Sequence, residues 1–325
     1  MRSILRRLGF YIVTAIVAVS LDFLIPRLIP GNPLDALLAK SQGQLSKATI
    51  AAMGQQLGVG TNTGMWGQYI DFWNNALHFN FGISVSNGFA PVSSIIGAAA
   101  PWTLGLVGVS TVISFVLGTG IGTVIGWKRG SWMDNLLPLV TFFQAAPYFF
   151  LAFLAVEFLA VDLGWFPSAG AHGNLDFPAW NWTFISDVLK HAILPALTIV
   201  VASAAGWIVG MRNVMLTTMD EDYVLLAAAK GLPKRAVVWY AARNAVLPSI
   251  SGFALAIGFI VSGALLTEIV FSYPGLGLLL VNAVASNDYG LLQAIFMLIT
   301  FAVLAANLIA DFVYVYLDPR IRQGA

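Results

Sequence analysis

The sequence predicts an all-α, polytopic membrane protein with six transmembrane helices and both termini in the cytoplasm. Three observations carry this. The 325 residues hold 16 Lys+Arg and 15 Asp+Glu, a charged fraction of 10%, against 58% apolar residues and a mean hydropathy of +0.82. Soluble domains average about 25% charged residues, so this chain lacks the polar surface of a water-soluble fold. Six stretches reach the roughly 20 mostly apolar residues that a spanning helix needs. The 16 basic residues fall unevenly between the connecting loops, which sets a direction. A net charge of +1 offers no field to attract nucleic acid. Without cysteine there is no disulfide framework, thiolate metal site or cysteine nucleophile.

The predicted spans are Leu8–Ile29, Pro101–Trp127, Asn135–Val161, Lys190–Leu216, Val246–Val270 and Leu291–Leu317. Inside lipid every backbone polar group must be satisfied, so these are helices, and none shows the alternation of a membrane barrel. The first span carries a small-residue pattern, Ala18-Val19-Ser20, that a signal peptidase would accept. Its apolar run continues to Ile29, longer than a signal core, so an uncleaved anchor is expected. The outer loop 30–100 is long enough for a short helix at Ser46–Leu57 and an aromatic one at Met65–Leu77. In the second span, Gly105, Gly108, Gly118, Gly120, Gly122 and Gly126 either allow close helix packing or line a pathway. The second outer loop, Asp162–Leu189, is rich in Gly, Pro and Trp. The third, Phe271–Gly290, has no Lys or Arg. Its Tyr273-Pro274-Gly275 turn leads into Leu276–Ala285, an apolar segment suited to a re-entrant or interfacial helix. Twelve of the 16 basic residues flank the even-numbered connections and the termini; only Arg27, Lys40, Lys47 and Lys190 lie on the other side. The chain is thus one membrane domain, 1–325, in a cytoplasmic membrane with its termini inside.

The cytoplasmic stretch Thr217–Leu247 differs from the rest. Asp220, Glu221 and Asp222 lead it, and Lys230, Lys234, Arg235 and Arg243 follow, an order that suits a helix dipole. Tyr223–Lys230 is rich in helix formers, Gly231 is placed as a stop, and Pro233 opens a second helix, Lys234–Val246. Such a helix–turn–helix either lies on lipid headgroups or forms a docking surface for another protein.

The segment Asp222-Tyr223-Val224-Leu225-Leu226-Ala227-Ala228-Ala229-Lys230-Gly231-Leu232-Pro233, followed by Ala242–Pro248, resembles the coupling loop of ABC importer permeases. It is closest to the first permease subunit of the dipeptide/oligopeptide/nickel family. Further matches run in order: Leu28–Pro33, Ala100–Leu104, Gly164–Gly170, His191–Leu197, Glu268–Gly277 and Leu317–Arg322. The family's broader Glu-Ala-Ala signature is replaced here by Leu225-Leu226-Ala227, which makes the docking face more apolar. The resemblance implies the type I ABC importer permease architecture in a bacterial or archaeal inner membrane. It also implies a second homologous permease subunit, two ATPase subunits or a fused pair, and an extracytoplasmic solute-binding protein. The ATPase-coupling residues would be Asp222, Tyr223, Leu225, Leu226, Ala227, Ala228, Ala229, Lys230 and Gly231. Peptide is the favoured cargo, with oligosaccharide or nickel chelate as alternatives.

No Lys follows a Gly, so no phosphate-binding loop occurs. This chain is expected to be no enzyme and to bind no cofactor, ATP and Mg being held by the partner subunits. His78, His172 and His191 show no metal-ligand spacing. Asp22, Glu157 and Glu268 are expected near the outer ends, within reach of water, and Asp311 deeper in the last span. Glu268, Tyr273, Pro274, Gly275 and Asp311 are candidates for a gate or its support. The rival reading, a stand-alone secondary transporter, would draw on these same acids.

Overall fold

The computed structural model describes residues 2–28, 64–173, 180–258, 260 and 264–317. The expected Ser46–Leu57 helix, the Leu28–Pro33 motif beyond Leu28 and the terminal motif beyond Leu317 lie outside them. In chain order the helices are α1 (Arg2–Leu28), α2 (Met65–Leu77), α3 (Val92–Trp127), α4 (Leu137–Ala145), α5 (Tyr148–Ala155) and α6 (Trp182–Met219). They continue as α7 (Asp222–Ala229), α8 (Lys234–Ala245), α9 (Leu247–Gly258), α10 (Leu265–Val270), α11 (Leu276–Ala285) and α12 (Tyr289–Leu317). Among the described residues the only β pairing is an isolated antiparallel bridge between Ile83 and Pro91. Among the described residues four helices are long and apolar enough to cross a membrane: α1 from Gly9, α3, α6, and α12 as far as Phe312.

Spans two and four are longer than their apolar runs imply. α3 begins at Val92, nine residues before Pro101, and carries that proline inside it; α6 begins at Trp182 and contains Pro195. A proline favours a helix start, and it can also be absorbed within a helix at the loss of one backbone bond.

The third span is broken. A 3₁₀ turn, Asp134–Leu136, leads into α4; α5 follows at 97° after Ala146-Pro147, and a π-helical turn, Val156–Asp162, ends the segment. Ala146 is extended (φ −73°, ψ 127°) because the Pro147 ring disfavours helical backbone in the residue before it. The two sides of the break are tied to opposite ends of α6. At the start of the broken segment, Asp134 Oδ1 accepts from Arg212 Nε (3.2 Å) and Nη2 (3.1 Å) of α6. At its far side, the Gly173 N–H donates to Asp187 Oδ2 near the other end of α6. Residues 187 and 212 are 25 positions apart on α6, about 38 Å at helical rise, more than the roughly 30 Å hydrocarbon core.

The predicted fifth span divides into α9 and α10, and residues 259 and 261–263 lie outside the description. Its far end is tied by the Gly170 N–H to Phe271 O bond (2.8 Å), which joins the second and third outer loops.

The described residues form two compact units, one from Met1–Thr103 with Pro274–Leu304, the other from Leu104–Tyr273 with Ala305–Ala325. In the first, Ser20 Oγ and the Tyr69 hydroxyl lie 2.7 Å apart and Phe23 packs edge-on against Tyr69, seating α2 on α1. The Arg27 guanidinium stacks 3.6 Å over Phe23 and donates to Gln68. Val19, Ala76 and Met297 form a buried cluster of α1, α2 and α12. The Leu276 N–H at the start of α11 donates to Thr103 Oγ1 at 2.8 Å.

The second unit is organised by close contact of α3 with α6. A Cβ on Gly118 would sit 2.8 Å from Ala204 O, one on Gly122 2.6 Å from Ile208 O, and one on Gly126 3.1 Å from Arg212 O. Gly118, Gly122 and Gly126, spaced by four, let the two backbones touch, so packing is their role. Gly105 and Gly120 have open space around them. Phe115 stacks on Phe253 (4.4 Å) and meets Trp207 edge-on (5.3 Å), extending the contact to α9.

Candidate coupling site

α7 and α8 form the helix–turn–helix predicted after the fourth span, within a residue of the expected bounds. The acid-rich start of α7 places Asp222 in the first turn, where the helix dipole favours negative charge. Val224 and Ala227, three residues apart, are buried. Val224 belongs to one buried cluster with Met211 and Met215 of α6 and Val237, Ala241 and Ala245 of α8. The opposite face is open. Tyr223, Leu225 and Leu226 are 41%, 54% and 55% exposed, and Asp222, Ala228, Ala229, Lys230 and Gly231 are exposed as well. Of the nine expected coupling residues, only Ala227 faces inward. Covering Leu225 and Leu226 with a partner would contribute about 1 kcal/mol or more each.

The end of α7 is fixed by two backbone bonds. The Gly231 N–H donates to Ala228 O (3.0 Å) and the Leu232 N–H to Ala227 O (3.3 Å), with Gly231 at φ +78°. This is a Schellman cap, which needs a left-handed residue where glycine stands. Pro233, extended at ψ 144°, then starts α8. The cap and the buried Val224 together hold α7 as a rigid projection from the end of α6.

The gate candidates are scattered in character. Glu268 in α10 is 1% exposed and Tyr273 2% exposed. Gly275 is buried, Pro274 exposed and Asp311 in α12 half-buried. The Tyr273 N–H donates to Glu268 O at 2.8 Å, closing the turn after α10. Burial, then the neighbouring Glu268 charge, pushes the Tyr273 phenol up to about 12. The expectation that Asp22 and Glu268 reach water fails, for both are buried. Asp22 faces α12, where Thr300 Oγ1 donates to it at 3.0 Å; Glu268 sits on the inward side of the short α10. Glu157 is exposed, on the π-helical turn.

Among the described residues no three His, Cys, Asp or Glu side chains are placed to hold a metal. A cavity of about 440 Å³ lies in the second unit, lined by Thr111, Tyr148, Ser203 and Trp207 together with Val107 and Ile199. Its lining carries no charged residue. Spacing alone gave no signal for it, since its walls come from α3, α5, α6 and α9.

Asp288, which the reading of spans passed over, is fully buried. Its Oδ2 accepts from Ser84 Oγ (2.6 Å), Ser86 Oγ (2.8 Å) and the Ser86 N–H (2.9 Å); its Oδ1 accepts from the Leu291 N–H (3.2 Å). It caps α12 and pins the 84–91 turn of the first outer loop. An Asp just before an apolar run is an N-cap signal, and it was legible at Asn287-Asp288.

Residues 118–323 match the family described as binding-protein-dependent transport system inner membrane component. The chain is 33% identical over 304 residues to a protein of Brucella suis biovar 1 described as a peptide permease, covering 93% of each. It is 32% identical over 304 residues to the oligopeptide transport system permease protein AppB of Bacillus subtilis, again 93% of each. It is 30% identical over 321 residues to the peptide ABC transporter permease protein y4tP of Sinorhizobium fredii, 98% of each. The helical, multi-pass fold and these full-length matches agree, and the chain belongs to the binding-protein-dependent inner-membrane family as a permease subunit of an ABC transporter.

Proposed function

We propose that this chain forms half of the translocation pathway of a peptide importer, paired with a second homologous permease. Two cytoplasmic ATPase subunits, or a fused pair, bind and hydrolyse ATP with Mg, and an extracytoplasmic binding protein delivers the cargo. Peptide takes precedence over oligosaccharide or nickel chelate because the relatives' names specify peptides. The uncharged 440 Å³ cavity, with Tyr148 and Trp207 in its wall, suits cargo of varied sequence.

The observation that carries the mechanism is α7, a short helix held by buried Val224 with Leu225 and Leu226 exposed and Gly231 capping it. In this reading α7 seats in a cleft of an ATPase. ATP draws the ATPases together, α7 moves with them, and its packing on Met211 and Met215 carries the motion into α6. This is a rigid-body switch between two packings, biased by a ligand that favours one of them. Glu268, Tyr273, Pro274 and Gly275 support the outer gate as a braced turn, and Asp311 serves α12.

The test compares Gly231→Val with Gly231→Asn in the reconstituted importer, with labelled peptide uptake and ATP hydrolysis measured together. A Cβ at Gly231 meets open space, so any cost is that of the left-handed backbone. A β-branched residue cannot adopt it, while asparagine visits it readily. The valine variant is expected to reach the membrane but hydrolyse ATP without uptake, and the asparagine variant to stay coupled. Wild-type uptake by the valine variant would overturn the coupling role of α7.

A further inference from the structure

The two helices of the coupling loop present faces of opposite chemistry. α7 contains no basic residue between Asp222 and Ala229 and exposes Leu225 and Leu226. α8 contains no acidic residue between Lys234 and Ala245. Its inner face, Val237, Ala241 and Ala245, is buried against Met211, Met215 and Val224. Its outer face exposes Lys234, Arg235 and Arg243 together with Trp239 (68% exposed) and Tyr240 (52% exposed). Arg235, Trp239 and Arg243 follow one another at intervals of four and make one stripe along the helix. Only Val246 separates α8 from α9, a helix of apolar character that re-enters the transmembrane region, so α8 sits at the membrane boundary.

We propose that α8 lies on the cytoplasmic leaflet and binds anionic lipid headgroups. Lys234, Arg235 and Arg243 pair with the headgroups, and Trp239 and Tyr240 sit at the headgroup level. Two large aromatic rings exposed among cations, with no carboxylate on the helix, complement a negatively charged interface. Glu221 and Asp222 at its start, with no cation before Lys230 at its end, keep α7 off the same surface, leaving it to a protein partner. α8 thereby holds the shared cluster around Val237 at a constant depth while α7 is pushed from below. This inference concerns the outer face of α8 alone and stands whether or not α7 docks an ATPase.

The chain has no cysteine, so Asn244→Cys gives a single spin-label site on the exposed face of α8, and Leu226→Cys one on α7. The full-length permease, labelled at one position, is placed in nanodiscs of phosphatidylcholine with or without phosphatidylglycerol. Accessibility to oxygen and to a water-soluble nickel chelate is then read. At 244, the nickel signal is expected to fall several-fold when phosphatidylglycerol is present, while at 226 it stays high in both lipids. Changing Lys234, Arg235 and Arg243 to Gln together is expected to erase the lipid dependence, at roughly fivefold in headgroup affinity per charge removed. The lipid comparison in the otherwise unaltered chain needs no folding assumption about that triple variant. Equal nickel access at 244 and 226 in phosphatidylglycerol discs would overturn the proposal. So would protection of 244 that ignores phosphatidylglycerol, or that arises only when ATPase subunits are added, the latter assigning the face to a protein.

Discussion

At the residue scale, one backbone device recurs. Four helices end with a left-handed residue whose N–H, and that of the next residue, return to the last turn: Phe79 after α2, Gly231 after α7, Ser272 after α10 and Asn287 after α11. Their φ values are +54°, +78°, +46° and +50°. Gly231 is the stop that the sequence announces most plainly, and Asn287 is of a residue type that also visits that backbone. Phe79 and Ser272 carry a Cβ into it, so their geometry comes from the surrounding bonds rather than from residue preference. Ser272→Gly is therefore expected to raise thermal stability, by about 1 kcal/mol, measured as a melting shift in detergent. An unchanged or lower melting point would show that the serine is accommodated without strain. Asp288 gives the opposite case. Replacing it with Ala removes the acceptor shared by Ser84 Oγ, Ser86 and the Leu291 N–H at the start of α12. About 1–3 kcal/mol is expected to be lost, with Asp288→Asn recovering part of it. Limited proteolysis of the 84–91 turn reports this, and resistance equal to wild type in the Ala variant would remove the clamp from the account.

At the element scale, residue composition and boundary residues located α2, α7, α8 and α11 to within a residue or two, since each has a polar or glycine boundary. Apolar run length misplaced the starts of α3 and α6, where the helix continues past the apolar run and through a proline. It also drew one straight span across Ala146-Pro147, where a proline effect on the preceding residue turns the chain by 97°. Composition could not decide what the glycines of the second span do. The distances divide them: Gly118, Gly122 and Gly126 face the α6 backbone, and Gly120 faces open space. Gly122→Val is thus expected to force α3 and α6 apart. Its first added atom alone would lie 2.6 Å from Ile208 O and 2.9 Å from Met211 Cβ, and backbone cannot yield as a flexible side chain does. Folded yield and detergent melting temperature should fall sharply for Gly122→Val and be nearly unaffected for Gly120→Ala. Equal behaviour of the two variants would sink the packing assignment.

At the scale of the whole molecule, the sparse charge of the chain bears most directly on its direction. Twelve basic residues against four is a sequence statement; the structure adds which parts share an end of α6. Asp134 meets Arg212 beside the α7–α8 cluster, whereas Gly173 meets Asp187. Gly170, three residues before Gly173, holds Phe271. Within this unit, the connections that the charge count puts inside, around Asp134 and at α7–α8, therefore gather at one end of α6, and the second outer loop with Phe271 gathers at the other. That agreement is independent of hydropathy, because it rests on hydrogen bonds between segments far apart in sequence. It predicts the outcome of cysteine labelling in intact cells, where the cysteine-free chain makes every introduced thiol unambiguous. Trp180→Cys, at a fully exposed position of the second outer loop, should react with a membrane-impermeant maleimide added outside. Leu232→Cys, in the turn between α7 and α8, should react only after the cells are opened. Labelling of Leu232→Cys from outside would invert the molecule and detach α7 from any cytoplasmic ATPase. Labelling of both positions from outside would mean that α6 fails to cross, against its 38 residues and its contacts at either end.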